Sequence, residues 1–226
     1  MGVFHSYLKS SIGKKQIVAV TGLMLILFLM GHLAGNCFIY LGPAFYNGYA
    51  KKLAGLRPGL FFIEAVLGII FLTHVLFTVL VVLQNIQARP IRYQVFRPSE
   101  TRSLATRLMP LTGTIIFLFV IAHLLDFTFI DHHGPSSILP DGKSYGLYGV
   151  VLNALSHPIH GALYILAMGA LGLHLIHAIE SFLQTFGLSH PLAALTQKIS
   201  GVIGLLFAVA YGAIPLYAVF HIQTFQ

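Results

Sequence analysis

The chain has 226 residues, of which 57% are hydrophobic and only 8% charged, far below the roughly one quarter charged residues of a soluble domain. That composition excludes a water-soluble globular fold and places the chain in a lipid bilayer. Its surplus of Lys and Arg (13) over Asp and Glu (6) reads as cytoplasmic loops rather than nucleic-acid binding, and its single cysteine excludes both a disulfide framework and a cysteine-held cluster.

Taken in chain order, the N-terminus is expected to be retained. Lys14 and Lys15 precede an apolar run too long for a signal core, and no small-residue cleavage pattern follows. The first span, roughly 16–40, holds TGLMLILFLMGHL with His32 near its end. A Gly- and Pro-bearing connection leads to a second span, roughly 60–84, with Glu64 near its start and His74 in its interior. The basic connection NIQARPIRYQVFRPSETR leads to the third span, roughly 108–130, which reads TGTIIFLFVIAHLLDF and carries His123 and Asp126. The fourth, roughly 156–184, contains His174 and His177, and the fifth, roughly 197–222, contains Pro215. Each segment is long enough to cross the hydrocarbon core as a helix. Residues 1–226 are therefore expected to form a single all-α transmembrane domain, a five-helix bundle.

Orientation follows from Lys and Arg. Lys9, Lys14, Lys15, Arg89, Arg92, Arg97, Arg102, Arg107 and Lys198 fall on one side, against Lys51, Lys52, Arg57 and Lys143 on the other. Nine against four predicts a cytoplasmic N-terminus and an outer C-terminus. Tyr40, Tyr46, Tyr49, Tyr145 and Tyr148 then lie near the outer interface, where amphipathic rings settle.

Four histidines fall inside predicted spans. His32 lies 16 residues past Gln16, and His123 lies 16 past Arg107, which puts both about 24 Å from the inner end at the helical rise. His74 lies 10 residues before Gln84, and His174 lies 10 before Gln184, which puts both about 15 Å from that end. Two pairs at two depths are expected. Ionisable groups inside a bilayer are costly and mark function. Two facing imidazoles can fill both axial positions of a haem iron inside an apolar bundle. A zinc or copper site would gather three or four ligands at one level, whereas each level here supplies two. Gly22, Gly31 and Gly113 are small enough to admit a flat macrocycle or a neighbouring helix.

SSIGKKQIVAVTGLMLILFLMGHLAGN, LTGTIIFLFVIAHLLDF and HLIHAIESFLQTFGLSHP resemble the membrane cytochrome b subunit of the succinate dehydrogenase and quinol:fumarate reductase family. The resemblance is to the five-helix, single-subunit, di-haem type, and it spans essentially the whole chain. It implies two haem b groups, with His74 and His174 on the haem nearer the cytoplasm and His32 and His123 on the distal one. His177, one turn from His174, is the rival fourth ligand. The resemblance further implies menaquinone as substrate, a flavoprotein subunit and an iron–sulfur subunit as partners, and a bacterial cytoplasmic membrane as location. It also allows dimerisation of the complex. The dicarboxylate chemistry would belong to the partners, because this chain has neither a dinucleotide fingerprint nor a cysteine set. The basic stretch Arg89 to Arg107 is a candidate docking surface. The alternatives are the cytochrome b of another respiratory enzyme, of formate dehydrogenase or hydrogenase type, and a haem-free transporter or channel.

Quinone chemistry needs a proton-exchanging group near a haem. Glu64, at the outer end of the second span, and Asp126, three residues past His123, are the candidates. His157 and His160 read as surface residues of the outer end. Some relatives of the resembled type carry a glutamate two residues before the fourth ligand, tied to transmembrane proton transfer. Here that position is Gly172, and the nearest acid on the helix is Glu180.

Overall fold

A computed structural model describes residues 2–88, 104–188 and 193–226. Arg89, Arg92, Arg97 and Arg102 of the candidate docking surface lie outside the described residues. The described elements are helical: α1 (Val3–Lys9), α2 (Ser11–Asn36), α3 (Pro43–Ala54), α4 (Gly59–Gln87), α5 (Leu104–Phe127), α6 (Gly146–Ser156), α7 (Pro158–Thr185) and α8 (Ala193–His221). Five of them, α2, α4, α5, α7 and α8, are long and apolar enough to cross a membrane. This is the predicted set of spans.

Local signals set the helix ends. The Ser10 side chain accepts from the Gly13 amide at 2.9 Å and caps α2. Pro43 and Pro158 open α3 and α7, where a missing amide proton costs nothing. The fourth predicted span begins two residues early. His157 is extended (φ −66°, ψ 123°) and breaks the chain between α6 and α7, because the residue before a proline avoids the helical region. Pro215 sits inside α8 and is fully buried against its neighbours.

The two polar connections at one end are themselves structured. Helices α3 and α6 pack together over the C-termini of α2 and α5 and form a cap. Asn47 ties the cap: its amide donates to the Tyr145 carbonyl at 2.8 Å, and its carbonyl accepts from the Tyr148 amide at 3.0 Å. Tyr46 donates to Asn36 at 3.2 Å, and burial, with Tyr49 beside it, pushes its phenol up to about 12. Burial, together with the hydroxyl of Tyr217, raises the Tyr148 phenol as well.

Burial is uneven. The core runs from Ile39 and Tyr148 in the cap through Leu155, Tyr164 and Leu171 to Phe207, Tyr211 and Ile214, so it sits between α7, α8 and the cap. Helix α4, by contrast, has no fully buried residue. It packs along α2, as α5 packs along α7. These two helix pairs carry all four predicted ligands.

Candidate functional site

The first and third spans share the pattern Thr-Gly, nine residues, His-Leu, and the structure gives both ends of it a task. The histidine ends meet. His32 of α2 and His123 of α5 face each other with ring centroids 5.7 Å apart and planes at 89°. Phe28 stacks on His32 at 5.2 Å, and Phe119 stacks on His123 at 5.6 Å. Phe127, Tyr164 and Tyr211 complete the aromatic wall. The Nδ1 of His123 is buried and has no hydrogen-bond partner. A buried polar atom left so costs about 1–3 kcal/mol, so this nitrogen is suited to a further ligand.

The Thr-Gly ends hold the other two histidines. On α2, Thr21 Oγ1 and the Val18 carbonyl both lie 3.1 Å from His74 Nδ1. On α5, Thr112 Oγ1 lies 3.3 Å from His174 Nδ1. The next residue in each case is the glycine. A Cβ on Gly22 would stand 3.1 Å from His74 Cε1, and one on Gly113 would stand 3.5 Å from His174 Cε1. Each imidazole therefore lies against bare backbone with its Nδ1 on a threonine hydroxyl.

Hydrogen-bond chemistry fixes the tautomer of His74. A carbonyl can only accept, so the Nδ1 facing Val18 carries the proton and the lone pair is on Nε2. The threonine hydroxyls have their own acceptors, Ile17 and Val18 carbonyls for Thr21 and Leu108 and Met109 carbonyls for Thr112. Their oxygens are thus left to accept from the rings, and His174 is the same tautomer. An imidazole that donates through one nitrogen and offers the other is the usual form of a metal ligand. His177 instead sets its Nδ1 on Thr106 at 3.0 Å, so the Thr-Gly cradle belongs to His174.

The two levels have one spacing. Thr21 to His32 and Thr112 to His123 are each 11 residues, about 16 Å along a helix. His32 and His123 meet at one height, and His74 and His174 sit at the matching Thr-Gly positions of α2 and α5.

The predicted proton-exchanging residues are not brought together. Glu64 pairs with Arg57 at 3.3 Å, and both side chains are about half exposed (46% and 53%). Asp126 lies beside the His32/His123 level, where its Oδ2 accepts from Tyr164 at 2.6 Å and meets His160 Nε2 at 2.9 Å. His160, read from sequence as a surface residue, is instead two-thirds covered and paired with Asp126. Tyr164 was not legible as a partner. Its sequence neighbours, GALYILAM, look like packing until α7 is laid beside α5. A polar path therefore runs from Tyr164, in ring contact with His123, through Asp126 to the partly exposed His160.

Gly172 has a packing role. A Cβ there would come within 2.8 Å of both the Gly204 carbonyl oxygen and the Ala208 Cβ, and one on Gly204 would come within 2.6 Å of the Gly172 carbonyl oxygen. Helices α7 and α8 cross on this glycine pair, and no larger side chain fits. Glu180 accepts from the fully buried Ser200 hydroxyl at 3.2 Å nearer the other end of α7.

Compared with protein-family models, curated proteins and solved structures, the chain matches none of them.

Proposed function

We propose that this chain is the di-haem cytochrome b subunit that anchors a succinate:quinone oxidoreductase, a succinate dehydrogenase or quinol:fumarate reductase, in a bacterial cytoplasmic membrane with its N-terminus inside. The observation that carries the reading is that His32 meets His123 while His74 and His174 each sit on the Thr-Gly end of the same two helices. The residues suit haem. His32 and His123 stand with ring centroids 5.7 Å apart and would hold the outer haem between them. With its Nδ1 proton held by the Val18 carbonyl, His74 would offer the lone pair of Nε2 with no proton to displace.

His74 and His174 would hold the inner haem, and His32 and His123 the outer one. A haem held by each pair would supply reversible one-electron transfer. The protein's part is to fix the rings. Thr21, Thr112 and the Val18 carbonyl orient the inner pair, and Phe28 and Phe119 stack on the outer pair. The electrons would pass between iron–sulfur clusters of one partner subunit and menaquinone, with succinate and fumarate handled on a flavoprotein partner. Asp126 with His160 is the better placed of the two proton-exchange candidates, since it adjoins the outer pair and reaches partial exposure. Glu64 keeps that role only if a quinone displaces Arg57.

A reduced-minus-oxidised spectrum of the purified protein, with haem quantified as the pyridine adduct, tests the reading. Two low-spin b haems per chain are expected. His32→Ala or His123→Ala should remove one, and His74→Ala or His174→Ala the other. A wild-type protein without haem would overturn the assignment.

A further inference from the structure

We infer that Thr112, and its counterpart Thr21 on α2, are positioning residues that set the redox potential of the inner haem by holding His174 and His74 as Nδ1–H donors. The inference rests on the di-haem reading. It goes beyond that reading by giving the threonine of each Thr-Gly pair a function separate from packing.

The two threonines are arranged alike. Each spends its hydroxyl proton on its own helix: Thr112 on the Leu108 and Met109 carbonyls, both at 3.1 Å, and Thr21 on the Ile17 and Val18 carbonyls at 2.7 and 3.1 Å. Such back-bonding is a common habit of threonine in apolar helices. Here it has a directional consequence. With its proton committed, the oxygen can only accept, and the atom it faces is an imidazole Nδ1 on the neighbouring helix, 3.3 Å away for Thr112 and 3.1 Å for Thr21. A ring that donates from Nδ1 gains electron density at Nε2 and becomes a more basic ligand. A more basic axial ligand stabilises the ferric state and lowers the potential.

The pairs differ in how much depends on the threonine. His74 has a second acceptor in the Val18 carbonyl, whereas Thr112 is the acceptor the structure gives His174. The outer pair has no such support at His123, whose Nδ1 is buried without a partner. Thr112 is therefore the position where loss of one oxygen should be felt most, and at one haem only.

The test compares Thr112→Val, which keeps shape and removes the acceptor, with Thr112→Ser, which keeps the acceptor. Both are made in the full chain and studied by redox titration and low-temperature EPR of each haem. Thr112→Val should move one haem to a more positive midpoint potential and change its low-spin EPR signature, while the other haem stays in place. Thr112→Ser should restore the wild-type values, and Thr21→Val should shift the same haem by less. Loss of one haem in Thr112→Val with recovery in Thr112→Ser supports the same role. Two haems with unmoved potentials in Thr112→Val, or a serine variant that behaves like the valine, overturns this proposal and leaves the di-haem reading standing. A wild-type chain without haem overturns both.

Discussion

Gly22→Ala and Gly113→Ala are the same substitution at matched places, yet the structure predicts different outcomes. At Gly113 the new Cβ would meet His174 Cε1 at 3.5 Å, an ordinary van der Waals distance. At Gly22 it would meet His74 Cε1 at 3.1 Å, closer than nearly all real Cβ contacts, so the ring must withdraw by a few tenths of an ångström. The ring cannot withdraw freely, because its Nδ1 lies 3.1 Å from both the Val18 carbonyl and the Thr21 hydroxyl oxygen. Retreat stretches both bonds toward the limit of useful geometry. Losing most of one such bond costs about 1 kcal/mol, and tilting an axial ligand adds to it, so the inner haem should be held about tenfold less tightly. The gain in helix propensity from Gly to Ala, about 1 kcal/mol, acts at both sites and favours the fold. Gly113→Ala should therefore be neutral or slightly stabilising with both haems retained. The assay is the rate of haem transfer to an excess of a haem-scavenging apoprotein, followed optically for each haem. Equal haem loss from the two variants, or tight retention in Gly22→Ala, would refute the idea that the glycine of the Thr-Gly pair exists to seat the ring.

Three further outcomes are expected. Asp126→Asn should keep both haems but lower quinone-linked turnover by about 10²-fold or more, the usual contribution of a positioned acid or base. Glu64→Gln should do less, because its carboxylate is already engaged by Arg57, and turnover measured with a soluble menaquinol analogue separates the two. Gly172→Ala should destabilise the α7–α8 crossing by about 1–3 kcal/mol, since the methyl meets backbone at 2.8 Å; detergent-solution unfolding midpoints check this. Folding holds the Tyr46 phenol near 12 against about 10 when unfolded. The folded cap therefore keeps a proton that the unfolded chain has lost above pH 10, and its stability, full below that, falls as the pH rises toward 12. Phenolate absorbance followed against pH should show late ionisation, with Tyr46→Phe removing that component.

How much could be read without coordinates depends on the kind of signal. The five spans come from long apolar runs, and any run of that length in hydrocarbon must close its backbone bonds as a helix. The pairing His32 with His123 came from counting residues along two helices of one direction, and a regular rise makes that arithmetic sound. What was not legible needs lateral contact. The repeated Thr-Gly was visible, and its glycines suggested close approach, but nothing along α2 says that the approaching group is a ring from α4 or that Thr21 is its acceptor. His160 looked exposed because it sits three residues into a helix after a proline. It is covered because Asp126 and Tyr164 come at it from either side, a relation set by the register of α5 against α7. Cap helices α3 and α6 were hidden because each is too short to cross a bilayer and so does not stand out as a span, and they are helical because Tyr46, Tyr148 and Asn47 give them a surface to bury and share.

The repeat carries one more step. A single helix that ends in histidine at one level and begins in Thr-Gly at the other has two tasks: it presents its own histidine at one end and holds a neighbour's histidine 11 residues away. Helices α2 and α5 each do this, and α4 and α7 each receive it. Any tilt of α2 that moves His32 must also move the acceptor of His74, so the two sites cannot relax independently. Each of α2 and α5 therefore joins the two levels, and under the di-haem proposal a bend between them would reach both haems. On that ground a substitution confined to one level, such as Thr112→Val, should perturb one haem cleanly, whereas a substitution that bends α2 or α5 between the levels, for instance a proline at Ile26 or Phe117, should disturb both haems together.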